Sequence, residues 1–164
     1  MPKYRLLTQE ELHELEKEFI DYLIVNSITA DDWEKMKQEE NEKANHILDL
    51  FSDVVMEGVL RKVKFLEYRD RTEVKTYQCL DDKFILVGMT ASAVEKVDFT
   101  DHAFVEKSMK NPPSSLKVYT SEKKYTNERE LEILEMTQAG CEISDGKLFK
   151  TLCLALPAAS RAIS

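Results

Sequence analysis

The sequence predicts an α+β fold: N-terminal helices, a three- to four-stranded antiparallel β-meander and a C-terminal helical pair. Three observations predict it. Apolar residues recur at helical spacing as far as Arg61. The period then shortens to two over 62–90, and helical spacing returns in the last third. Within the period-two region the connections Asp70–Thr72 and Asp81–Asp82 are short enough for hairpins, which makes the strands antiparallel. The expectation is one domain over 1–164: helical 1–62, meander 63–101, an irregular loop region 102–126, a helical pair 127–156 and a tail 157–164.

The first helix, 9–25, opens at Thr8-Gln9-Glu10-Glu11, a capping box in which Thr8 takes the amide of Glu11 and the Glu11 carboxylate reaches back. Leu12, Leu15, Phe19, Tyr22 and Leu23 form its apolar stripe. Thr29-Ala30-Asp31-Asp32 caps a short second helix carrying Trp33 and Met36. A longer helix starts at Asn41, with Ile47, Leu48, Phe51, Val54, Val55 and Val59 apolar. The segments 62–69, 73–80 and 83–90 are rich in β-branched and aromatic residues and read as strands. A fourth strand is expected at 95–101. Asn111-Pro112-Pro113-Ser114-Ser115 breaks the next stretch into a surface loop with an edge strand at 116–120. Helices over 127–139 and 145–156 follow.

Composition narrows the function classes. The net charge is −8, and Lys and Arg against Asp and Glu give −7 over 1–62 but +3 over 102–129. An acidic surface repels nucleic acid and anionic lipid at long range. No run of about 18 apolar residues is present, so no spanning helix is expected. The start, MPKYRLLTQEELHEL, lacks an apolar core and reads as no signal peptide. Three dispersed cysteines, Cys79, Cys141 and Cys153, fit buried thiols in a reducing cytoplasmic setting.

The stretch GCEISDGKLF, 140–149, has the look of a phosphate loop, and its residues argue against one. Five residues separate Gly140 from Gly146 where four are needed, and Leu148 stands where a hydroxyl belongs. Glu142 and Asp145 would repel an anion. A joint between helices explains the stretch: Gly140 ends one helix, and Ser144 caps the next.

Four groups of residues remain as candidates. Asp98, Asp101 and His102 in DFTDH could ligate a divalent metal and lower the pKa of a bound water, although turn chemistry also places Asp and Thr at a strand end. Lys117, Tyr119, Lys123, Lys124 and Tyr125 interleave cations with rings, a pattern suited to phosphates and unpaired bases. Trp33 and Met36 are candidate partner-binding residues. The apolar last helix could bury itself in a homodimer. His13 and His46 read as solvent-facing. No catalytic residue and no cofactor is assigned.

The stretches SITADDWEKMK (27–37), LFSDVVMEGVLRKVKFLEYRD (50–70) and EISDGKLFKTLCLAL (142–156) together resemble an uncharacterised domain-of-unknown-function family of small proteins from Bacteroidetes. The resemblance runs from Tyr4 to Leu156, apart from the region around 100–125. It implies a single-domain bacterial protein of the cytosol and transfers no functional residue. The resulting expectation is a non-enzymatic protein acting through contacts with an unidentified protein, with no membrane and nucleic acid disfavoured. The alternatives are a metal-assisted hydrolase using Asp98, Asp101 and His102, and nucleic-acid binding through 117–125.

Overall fold

In the computed structural model, residues 1–91, 97–110 and 116–156 are described. They form two compact units, one over Met1–Arg61 and one from Lys62 onward.

The first unit is helical: α1 Gln9–Glu14, α2 Glu16–Val25, α3 Ala30–Glu39 and α4 Asn41–Lys62, whose last residue falls in the second unit. The expected capping box forms between Thr8 and Glu11, and the expected cap at Thr29 proves to be a second box, with Asp32 reaching back; each closes two amides that would otherwise lack partners. The expected 9–25 helix is interrupted at Leu15, which leaves helical geometry at φ −100°, ψ 22°. Leu7, Leu23, Met36, Ala44, Phe51 and Met56 are buried, and Phe19 sets its edge against both Trp33 and Phe51 at ring separations of 5.1 and 5.0 Å. The chain ahead of α1 is tied to α4. The amides of Lys3 and Tyr4 donate to Asp53, and that of Leu7 donates to the fully buried Ser52 hydroxyl at 3.2 Å.

The second unit is built on one sheet. Strands β1 Phe65–Arg69, β2 Glu73–Cys79, β3 Lys83–Thr90, β4 Lys117–Lys124 and β5 Glu142–Ser144 lie in the order β4-β3-β2-β1-β5, every pair antiparallel. Helices α5 His102–Lys110, α6 Arg129–Gln138 and α7 Lys147–Ala155 complete it. The register puts Phe65, Val74, Ile85, Val87 and Met89 on one face, where Phe99, Val105, Phe149, Leu152 and Leu156 pack on them. Burial of each such side chain contributes about 1.5–3 kcal/mol. Thr76, fully buried on that face, donates its hydroxyl to the Val87 carbonyl at 2.7 Å. The opposite face carries Leu66, Tyr77, Phe84 and Leu86, the last three bordering α6.

Three expectations are corrected. The meander is part of a five-stranded sheet. No strand forms over 97–101, while 95–96 lie outside the described residues. There the Asp98 carboxylate accepts the Thr100 amide and hydroxyl to close a turn, and Phe99 is fully buried in the core. The region 102–126 is not wholly irregular. It contains α5, on which Val105 and Ser108 are buried and Phe104 half-buried, and β4, which extends past the expected 116–120 to Lys124. Lastly, the joint at 140–146 holds a strand. Gly140 at φ +114° ends α6 in a Schellman arrangement: the Cys141 amide donates to Met136 and that of Gly140 to Thr137. The chain then pairs with β1 as β5, and Gly146 at φ +84°, rather than Ser144, takes the capping position of α7.

Candidate functional site

An open cleft of about 710 Å³ lies in the second unit at the β1–β5 edge of the sheet, bordered by α5 and the first turns of α7. Its polar groups are joined in a chain. The Ser144 hydroxyl donates to Glu67 Oε1 at 2.8 Å and accepts the Gly146 amide at 3.0 Å. Arg69 donates through Nη2 to Glu67 Oε2 at 3.0 Å, and its Nη1 lies 3.0 Å from His102 Nδ1. An arginine can only donate. Nδ1 is therefore the acceptor, and the imidazole carries its proton on Nε2.

This order of groups differs from that of a nucleophile oriented by a base. A nucleophilic serine needs an imidazole or comparable base beside it, oriented by a third group. Here Arg69 separates His102 from Glu67, and the Glu67 carboxylate beside Ser144 is already held by a guanidinium. The cleft edge instead offers fixed donors and acceptors, with Glu106, Glu142 and Asp145 around it and Val105, Leu148 and Ile143 as apolar wall. Strand placement explains the assembly. Glu67 and Arg69 alternate with Leu66 and Tyr68, so both charged groups share a face with Ser144, which pairs across from Phe65.

Of the expected metal residues, only His102 borders the cleft. Hydrogen bonds from the Thr100 hydroxyl and amide hold the Asp98 carboxyl below the usual carboxylate range. Asp101 accepts the Ala103 amide at 3.0 Å and caps α5. Among the described residues no group of three or more His, Cys, Asp or Glu is arranged to hold a metal ion. His13 and His46 are exposed.

The interleaved segment lies on β4, and its rings are engaged. The Tyr119 hydroxyl donates to Glu73, while burial and that carboxylate push the phenol pKa up. Tyr125 donates to the Leu80 carbonyl at 2.7 Å and sets its ring edge-on to Phe84 at 4.7 Å. Lys123 pairs with Glu132 at 3.4 Å, whereas Lys117 and Lys124 are exposed. In the first unit Met36 is buried, and Trp33 is half-buried against Phe19 with Lys37 over its ring. The apolar face of α7 packs on this chain's own sheet, leaving Leu154 exposed.

Sequence reasoning missed Arg129. Its guanidinium reaches the carbonyls of Leu80, Cys79 and Val63, tying the start of α6 to the ends of the first hairpin. It also missed the exposed apolar side chains of the first unit. On α2 these are Ile20, Ile24 and Val25; on α4 they are Leu50, Val54 and Val59. Ile20 and Ile24, like Leu50 and Val54, stand four residues apart on one helix face, a spacing visible in the sequence but hidden within broader apolar stripes.

The fold and the cleft define a small α+β protein with a helical unit and a five-stranded antiparallel sheet unit. A family model described as a family of unknown function, DUF6495, matches residues 1–156, and the chain belongs to that family. No curated protein matches the chain, and no solved structure does. Among the described residues no helix is long and apolar enough to cross a membrane.

Proposed function

We propose that this protein works through protein–protein contact in a bacterial cytosol, in the Bacteroidetes setting its sequence resemblance suggests, and catalyses no reaction. The observation that carries the reading is the exposure of large apolar side chains on the first unit. Ile24 is 65% exposed, Val25 83% and Val54 58%. Solvent-facing aliphatic groups grouped on helices mark surfaces that a partner covers. The contact surface is thus α2 and the outer face of α4, in place of Trp33 and Met36, whose side chains already pack within the unit. The cleft supports the same reading, because the one carboxylate beside Ser144, that of Glu67, is already held by Arg69.

The test is affinity capture from the native cell, with wild type and an Ile24→Glu/Val54→Glu variant at matched expression. Both positions are exposed, so the thermal midpoint should hold while recovery of the wild-type partner falls. Equal recovery by both proteins, or no partner above background, refutes the reading.

A further inference from the structure

We infer that a second pocket, between α6 and the sheet, binds a small amphipathic amine. The site belongs to the second unit, whereas the contact surface proposed above belongs to the first, and it does not depend on that proposal. The pocket has a volume of about 360 Å³, at the lower end of the roughly 300–1,000 Å³ usual for small-molecule sites. Its body is apolar and aromatic: Tyr77 from β2, Phe84 and Leu86 from β3, Met136 from α6. Tyr77 and Phe84 meet nearly edge to face at 6.2 Å, giving the wall a fixed shape. Burial is the main cause that pushes the Tyr77 phenol pKa up to about 12, so it stays neutral.

The polar end is Glu132, only 5% exposed. A buried carboxylate is costly unless well partnered. The two partners of this one are long: the Asn127 amide at 3.2 Å on Oε2 and Lys123 Nζ at 3.4 Å on Oε1. Lys123 is itself 67% exposed, so solvent screens the pair. A carboxylate offers about four lone-pair positions, and two long contacts leave acceptor capacity at the pocket. Glu135 follows at i+3 on the same helix face, also lines the pocket, and forms no ion pair with a described residue. Glu122 and Lys123 line the pocket as well, so three carboxylates face one ammonium beside the aromatic rings, a balance that favours a cation over an anion. Among the described residues no group of three or more His, Cys, Asp or Glu is arranged to hold a metal ion here. An organic ammonium with an apolar body meets each requirement: charge on Glu132 and Glu135, body on Tyr77, Phe84, Leu86 and Met136.

The experiment is titration of the full chain with phenethylamine, followed by NMR shifts of the Tyr77, Phe84 and Met136 side chains. Phenethyl alcohol is the uncharged control, and Nα-acetyl-lysine methylamide is the stand-in for a partner's lysine. Saturable shifts confined to those residues are expected, with the alcohol weaker by about tenfold or more, the scale of one charge-assisted hydrogen bond. Glu132→Gln should weaken the amine similarly. If that variant does not fold, the exposed Glu135→Gln gives the same comparison with a smaller, severalfold loss. No shift up to about 10 mM amine, equal binding of the alcohol, or shifts centred elsewhere overturns the assignment. So does tighter binding of the lysine derivative, which would give the site to a protein side chain.

Discussion

The ring of Tyr119 rests on the backbone of Gly88, its direct cross-strand neighbour, in the space where a Cβ would stand. From there its hydroxyl reaches the Glu73 carboxylate on β2, so the side chain spans β3 from the sheet's edge. The glycine is what allows this approach. Gly88→Ala should therefore cost about 1–3 kcal/mol, the range for an overpacked core site. In Gly88→Ala/Tyr119→Ala the loss should be smaller than the sum of the single losses, as measured by denaturant unfolding. Strict additivity would show that the two do not interact.

Arg129 holds three carbonyls with one planar fork, which a lysine cannot imitate. Arg129→Lys should lower stability by about 2 kcal/mol, within the range for hydrogen bonds to a charged group. Hydrogen exchange should quicken at Cys79 and Leu80 before the middle of the sheet. Uniform exchange changes would place the arginine's contribution elsewhere.

The hydrogen bond from Arg5, aided by the Thr8 amide, lowers the Glu11 carboxyl from its ordinary 4.5 to about 2. A carboxylate with a depressed folded-state pKa contributes stability that is complete above the unfolded value and disappears as pH falls through the folded one. The loss should run from about pH 4.5 down to about pH 2. Trp33 is the single tryptophan, and its fluorescence reports on the first unit. Unfolding followed this way should show a shallower acid slope in Glu11→Gln. Parallel curves for the two proteins would remove Glu11 from the account.

Burial pushes the Cys79 thiol up to about 12, against a smaller opposing pull from Arg129. Cys141 and Cys153 are raised for the same reason but are only half-buried. Since the thiolate is the reactive form, alkylation near neutral pH should modify Cys141 and Cys153 first and Cys79 only on unfolding. Peptide mass spectrometry reads the order directly, and early labelling of Cys79 would contradict its burial.

The capping box at Thr8 and the cap at Thr29 were legible because cap and partner lie within three residues, so one turn of helix joins them. The hairpins β1–β2 and β2–β3 were legible for the same local reason. β5 was not: three residues carry too little periodicity, and pairing with β1 seventy-odd positions earlier is what makes them a strand. Asp98 and Asp101 looked like metal ligands because sequence shows side-chain type without direction, whereas the fold turns both carboxylates onto neighbouring amides.

By itself the sequence determined the net charge of −8, where helices start and where the period changes, the last two because they depend on neighbours a few bonds apart. Tertiary structure alone decided that Ser144, Glu67, Arg69 and His102 form one chain of contacts, and that Glu132 is buried beside an apolar pocket. Such groups meet only when a sheet brings distant segments into register, and register is set by packing across the whole face rather than by any local stretch.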